Sequence, residues 1–97
     1  MVGCYILHSE KLNKFYIGVT QDDVASRIQK HNESFYGKHR FTAKANDWKL
    51  FLFIETLNYA HAMRVEKKVK SMKSTVYLRS LIAYPELVEK LLFTTLT

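Results

Sequence analysis

Five side chains in this chain of 97 residues join reactive chemistry to positions beside buried surface: Tyr5, Tyr16, Arg27, His31 and Glu66. Glu66 is the only acid between Glu55 and Glu86. It lies four residues after Ala62 and three before Val69, so its carboxylate sits at the margin of a helical apolar stripe. With Arg64, Lys67, Lys68, Lys70 and Lys73 around it, such a carboxylate stays ionised and could hold a hard divalent cation. The plainer alternative is an i,i+4 pair with Lys70, worth about 0.2–0.5 kcal/mol. Arg27 follows Val24 by three and His31 follows Ile28 by three. Both therefore border a second narrow stripe, four apart on one helix face. A guanidinium is a permanently charged fork suited to phosphate oxygens, and an imidazole titrates near neutrality. The alternative here is an arginine snorkelling along the core and a histidine satisfied near a helix C-terminus.

The phenols belong to residues 2–19, where two runs of β-formers flank a polar middle, Glu10-Lys11-Leu12-Asn13-Lys14. This is a hairpin pattern with a longer loop. A loop of residues 10–13 pairs Ser9 with Lys14 and sets Tyr5 opposite Gly18. Alternation then puts Tyr5, Tyr16 and Gly18 on one face, two phenols beside a patch without a side chain, which makes a floor for a ligand.

The elements that must carry these residues follow in order. Thr20-Gln21-Asp22-Asp23 starts a helix, with acids expected in its first turn. Trp48 opens a strand whose residues 50–54 are all apolar, which predicts the central strand of a covered sheet. A helix from Tyr59 to Met72 buries Ala62, Val65, Val69 and Met72, after a start at Thr56 and Asn58. Ser74 caps a third helix with Tyr77, Leu78 and Leu81 inward, and Pro85 fits the first turn of a fourth bearing Leu87, Val88, Leu91 and Leu92. Residues 93–97 are expected to fray. No repeat, linker or low-complexity tract divides the chain, so residues 1–97 read as one domain.

A content of 47% hydrophobic and 25% charged residues excludes a disordered chain. The longest apolar run is too short to span a membrane, no signal-peptide pattern opens the chain, and one cysteine fits a reducing cytoplasm. The net charge of +6 and a pI near 9.5 suit polyanionic partners, nucleic acid above all, and equally a solvated basic face with no partner. Residues 32–47 mix Phe35, Tyr36 and Phe41 with Lys38, His39, Arg40 and Lys44, a combination that stacks on bases while tracking phosphates. Some of these aromatics are expected to anchor the loop to the core instead. Cys4, His8, His31, His39 and His61 lack the paired spacings of a zinc site.

Gly3-Cys4-Tyr5, then after ten residues Tyr16-Ile17-Gly18, resembles the paired signature of the GIY-YIG nucleases. Arg27, His31 and Asn32 are similar to the family's first helix, and Ala62-Met63-Arg64-Val65-Glu66 to its metal-binding helix, with Glu66 at the ligand position. Ser71-Met72-Lys73-Ser74 resembles the turn of small stand-alone bacterial members, which look like the nuclease module of excision-repair enzymes. Asp22-Asp23 makes the approach to the first helix one residue longer than usual. The resemblance implies an α+β fold, a small three-stranded antiparallel β-sheet with packed helices. It implies a metal-dependent endonuclease hydrolysing DNA phosphodiester bonds, in DNA repair or processing, using Mg²⁺ or Mn²⁺ on Glu66. Arg27 would hold the phosphate, while Tyr5 and Tyr16 position the water, with Tyr5 or His31 as base. Gly18, Lys38, His39, Arg40, Lys44, Lys67, Lys70 and Lys73 would face the DNA, a protein partner could supply specificity, and no membrane is involved. The alternative is a nucleic-acid-binding module of the same fold that does not cut.

Overall fold

The computed structural model describes residues 1–33, 37 and 41–97. Of the aromatic and basic loop, Phe35, Tyr36, Lys38, His39 and Arg40 lie outside the described residues. The strands are β1 (Gly3–Ser9), β2 (Lys14–Thr20) and β3 (Lys49–Glu55), and the helices α1 (Val24–Asn32), α2 (Tyr59–Met72), α3 (Thr75–Ala83) and α4 (Pro85–Thr94). A 3-10 turn, Phe41–Lys44, precedes β3. Among the described residues no helix is long and apolar enough to cross a membrane.

The hairpin forms in the expected register, with Ser9 opposite Lys14 and Tyr5 opposite Gly18. Asn13 closes the loop at φ 50°, a left-handed conformation that asparagine tolerates. Asp47 clamps the same loop from a distance: Oδ1 accepts from Ser9 Oγ at 2.6 Å and Oδ2 from the Lys11 amide at 3.0 Å. The Ser9 hydroxyl, then the Lys11 amide, hold the Asp47 carboxyl below its ordinary range.

The sheet is antiparallel in the order β2-β1-β3, so β1 is the central strand and β3 an edge. The apolar run 50–54 therefore has a different cause from the one expected. A register shift between Ile6 and Leu7 pairs Ile6 with Leu52 and Leu7 with Leu50. Such an irregularity breaks strict alternation, and the consecutive Phe51 and Leu52 both pack into one core while Phe53 packs into the other and Leu50 is 44% exposed.

Both faces of β1 are buried. Cys4 and Ile6 join Ile54, Val65, Val69, Leu78, Leu81 and Leu91 in the larger core. Tyr5 and Leu7 join Trp48, with Val24 and Ile28 against them, in the smaller. Asp23, Asn58 and Ser74 cap α1, α2 and α3 through their side chains. Asp23 is thus the cap and no acid lies in the first turn of α1. Met72 is exposed and not part of the buried stripe, since α2 ends there with Lys73 in a left-handed cap at φ 47°.

The C-terminal residues do not simply fray. The helix runs to Thr94, and Thr95 is buried. Arg64 turns away from any basic face, donating from Nε to the Thr95 carbonyl at 2.6 Å and from Nη2 to that of Leu96 at 2.7 Å.

Asn32 ties α1 to the start of β3: its Oδ1 accepts from the Trp48 amide at 2.7 Å and its Nδ2 donates to the Trp48 carbonyl at 3.1 Å. Asn32→Ala leaves both backbone groups unpaired and is expected to lower stability by about 1–3 kcal/mol. Urea denaturation checks this, and Asn32→Asp, which keeps only the acceptor, should fall between.

Candidate active site

All five chemically equipped side chains meet at one cavity of about 410 Å³. Tyr5, Tyr16 and Gly18 come from the hairpin, Arg27 and His31 from α1, and Glu66 from α2; Phe41 and Thr42 of the 3-10 turn close one side. Gly18 and its neighbour Val19 both line the cavity. They face opposite sides of the sheet, so the cavity wraps around the edge of β2. This is how Glu66, on a helix whose core side chains pack against Cys4 and Ile6, reaches the phenols on the other face.

The phenols and the imidazole form a compact group. The rings of Tyr5 and Tyr16 lie 6.3 Å apart, and Tyr16 and His31 4.7 Å apart. Gly18 is required here by close approach. A Cβ on it would stand 2.5 Å from both Cζ and Oη of Tyr5, so the space left by the missing side chain is filled by the phenol.

His31 is the hub. Its Nε2 shares a proton with Tyr5 Oη at 2.9 Å and its Nδ1 one with Thr42 Oγ1 at 2.8 Å. The Thr42 carbonyl accepts from Trp48 Nε1 at 2.8 Å, which fixes the far end of the chain of bonds. Burial, then the nearby Arg27 charge, lower the His31 pKa to about 4. The ring is therefore neutral at pH 7, in place of the titration near neutrality expected of an imidazole. In the neutral ring one nitrogen donates and the other accepts, so the bonds to Tyr5 and Thr42 run in one direction through it.

Glu66 is ionisable and only 19% exposed, with Oε2 facing Lys70 Nζ at 3.5 Å. The same residue makes the expected i,i+4 pair and lines the cavity. Among the described residues no three His, Cys, Asp or Glu side chains gather to hold a metal. Cys4 is buried and its thiol is pushed up to about 12, by burial first and then by the Glu66 charge. A single carboxylate on an open polar cavity fits a hard ion that keeps much of its water, such as Mg²⁺ or Mn²⁺, and does not fit a closed thiolate or imidazole site.

The expected nucleic-acid contacts divide. Lys44 stands over the Phe41 ring at 5.5 Å, at the cavity rim, and Phe41 itself lies 5.9 Å from Trp48, so this aromatic both anchors and lines. Lys67 and Lys70 share a shallow hollow with Glu66, beside the main cavity. Lys73 lies further along α2, in a separate hollow with Lys14 and Lys70. Lys38, His39 and Arg40 are among the residues not described.

Sequence reasoning passed over Thr42, Tyr59 and Met63, all of which line the cavity. For two of them a signal existed. Tyr59, Met63 and Glu66 stand at i, i+4 and i+7 on α2, which is one helical face. Thr42 had none, because it stands 11 residues from His31 in sequence and meets it only in the fold.

Among the described residues a three-stranded antiparallel sheet with four helices, and a polar cavity around its edge, make this an α+β protein. Residues 1–78 match the GIY-YIG catalytic domain, and the chain belongs to the GIY-YIG family. No curated protein and no solved structure gives a significant match.

The His31 environment has a measurable sign. Its folded pKa lies below the ordinary 6.5, so the unfolded chain binds the extra proton between those values. The contribution of the neutral ring to stability is full above pH 6.5 and is lost as pH falls toward about 4. Urea midpoints measured from pH 7.5 to 4 should fall over that window, and His31→Gln should flatten this part of the curve.

Proposed function

We propose that this protein is a metal-dependent endonuclease that hydrolyses DNA phosphodiester bonds in DNA repair or processing. One observation carries the reading: Tyr5, Tyr16, Arg27, His31 and Glu66, from two strands and two helices, converge on one cavity. Residues 1–97 act as a single domain in the cytoplasm, with sequence specificity owed to a protein partner.

Hydrolysis needs an aligned water, relief of the charge building on the phosphate and help for the leaving oxygen. Arg27 holds the non-bridging oxygens through its fork of donors. Tyr16, packed on His31, orients the water. Tyr5 takes the proton from that water as its own hydroxyl proton passes to His31 Nε2, while Nδ1–H donates to Thr42. An incoming phosphate offsets the Arg27 charge, the smaller of the two causes that hold His31 low, and so raises the basicity of the ring in part. Glu66 would hold the Mg²⁺ or Mn²⁺ ion. When bound, that ion supplies Lewis-acid polarisation of the phosphate and charge relief at the leaving oxygen. Lys44, Lys67, Lys70 and Lys73 hold the flanking backbone, and Gly18 keeps the strand close to it.

The second reading is a nucleic-acid-binding module that does not cut, and absence of cleavage by the parent would select it. One variant tests the role of Glu66, which also pairs with Lys70. Glu66→Gln is expected to fold normally, to bind DNA and to leave it uncut at every Mg²⁺ or Mn²⁺ concentration. A merely structural pair predicts unchanged cleavage and a stability loss of about 0.5 kcal/mol or less. Cleavage of labelled DNA by parent and variant, with and without EDTA, beside a thermal melt, gives the answer.

Arg27→Ala should lower the single-turnover cleavage rate by roughly 10²–10³-fold, as loss of a transition-state contact does. Binding by fluorescence anisotropy should weaken far less. Equal losses in both would make Arg27 a docking residue.

A further inference from the structure

The last part of the chain builds a second, quite different surface. A groove of about 520 Å³ runs between the turn from β3 into α2 and the end of α4. Leu57, Leu92, Phe93 and Leu96 line it, with Glu55 and Glu89 as its charged residues. Leu57 and Phe93 are 75% and 76% exposed. Among the described residues no lysine or arginine lines it, although the chain carries 15 basic residues against 9 acidic ones. The groove thus inverts the charge of the molecule locally, and α4, which forms one wall, lies beyond the residues that match the family.

The walls are fixed before anything binds. His61 Nδ1 accepts from the Leu57 amide at 3.2 Å, which leaves the ring proton on Nε2, where the Leu92 carbonyl at 3.0 Å and Thr95 Oγ1 at 3.1 Å receive it. Arg64 holds the Thr95 and Leu96 carbonyls on the same helix end. Two apolar walls are thereby riveted through one buried imidazole. A preformed groove costs little ordering on association.

We propose that this groove docks a basic amphipathic helix of a partner protein, leucine-like side chains entering between Leu57 and Phe93 and lysines or arginines meeting Glu55 and Glu89. Helix-in-groove recognition needs such an apolar floor with charged rims. The acids argue against the other occupants. Nucleic acid and anionic lipid would be repelled by them, and a two-fold contact between copies would set this acidic patch against a second copy of itself. The surface is independent of the cleavage chemistry, since Tyr59 and His61 stand two apart on α2 and so project to opposite sides of it.

A fluorescein-labelled 18-residue helical peptide of leucine and lysine, with the leucines on one face, is the probe, read by anisotropy against the intact chain. Binding with a Kd of roughly 10–100 µM is expected. An isomer with the leucines scattered, and a leucine–glutamate peptide, should each bind about tenfold more weakly or worse. Leu57→Ser/Phe93→Ser, at exposed positions checked by a thermal melt, should weaken the leucine–lysine peptide by a similar factor, and Glu55→Gln/Glu89→Gln should weaken it mainly at low salt. Equal binding of the isomer or of the glutamate peptide, or unchanged binding to the serine double variant, would overturn the proposal. So would a concentration-dependent dimer that Phe93→Ser abolishes in the absence of peptide binding, since the occupant would then be a second copy.

Discussion

Everything in this structure depends on β1 being paired on both edges and buried on both faces. Seven residues, Gly3–Ser9, satisfy two neighbouring strands while their side chains alternate between two cores. Cys4 and Ile6 give α2, α3 and α4 a surface to cover, and Tyr5 and Leu7 give one to α1 and Trp48. A one-residue slip would exchange these sets and bury the Tyr5 phenol among aliphatic side chains. Register and chemistry are thus set by the same hydrogen bonds. Gly3 belongs to this constraint, since a Cβ there would collide with the Ile54 carbonyl and the Phe53 ring.

The proposed site follows from where that strand ends its influence. Tyr5 lies over Gly18, and the cavity then turns around the edge of β2 to meet α2. Groups of opposite character are kept apart by the sheet itself. The phenols sit on one side with the imidazole, Tyr5 hydrogen-bonded to His31 in a row that ends on Thr42 and Trp48, and the carboxylate sits on the other with its lysine. Only a polar ligand that bends around a strand edge touches both. The groove on α4 has the reverse design, apolar in its floor and acidic at its rim, so one small chain presents two surfaces that select for opposite charge.

How much of this was legible in the sequence can be read from particular residues. Tyr5, Tyr16 and Gly18 were legible because period-two alternation and a four-residue loop leave one register. Arg27, His31 and Glu66 were legible as residues bordering stripes, since helical spacing fixes the face. The pattern does not carry the order of strands. Residues 50–54 read as a doubly buried centre, yet their apolar run reflects a register shift on an edge strand. The neutrality of His31 was hidden too, because it comes from burial and a neighbouring charge and not from residue type. Nor could the sequence say that Thr95 and Leu96 would be held by Arg64, a tie across 31 and 32 residues that stops the end from fraying.

The pairing of β1 also orders events in time. Ser9 and Lys14 are five residues apart, and such a hairpin closes in microseconds, whereas Gly3 must find Glu55 across 52 residues of chain. Tyr5, Tyr16, Arg27 and His31 all lie within the first 32 residues, but Trp48 and Glu66 are synthesised later. A chain emerging from the ribosome carries the phenols and the guanidinium without the carboxylate, and without the indole that steadies the imidazole through Thr42. The proposed site is therefore completed only once α2, which follows the central strand's late partner β3, has been made.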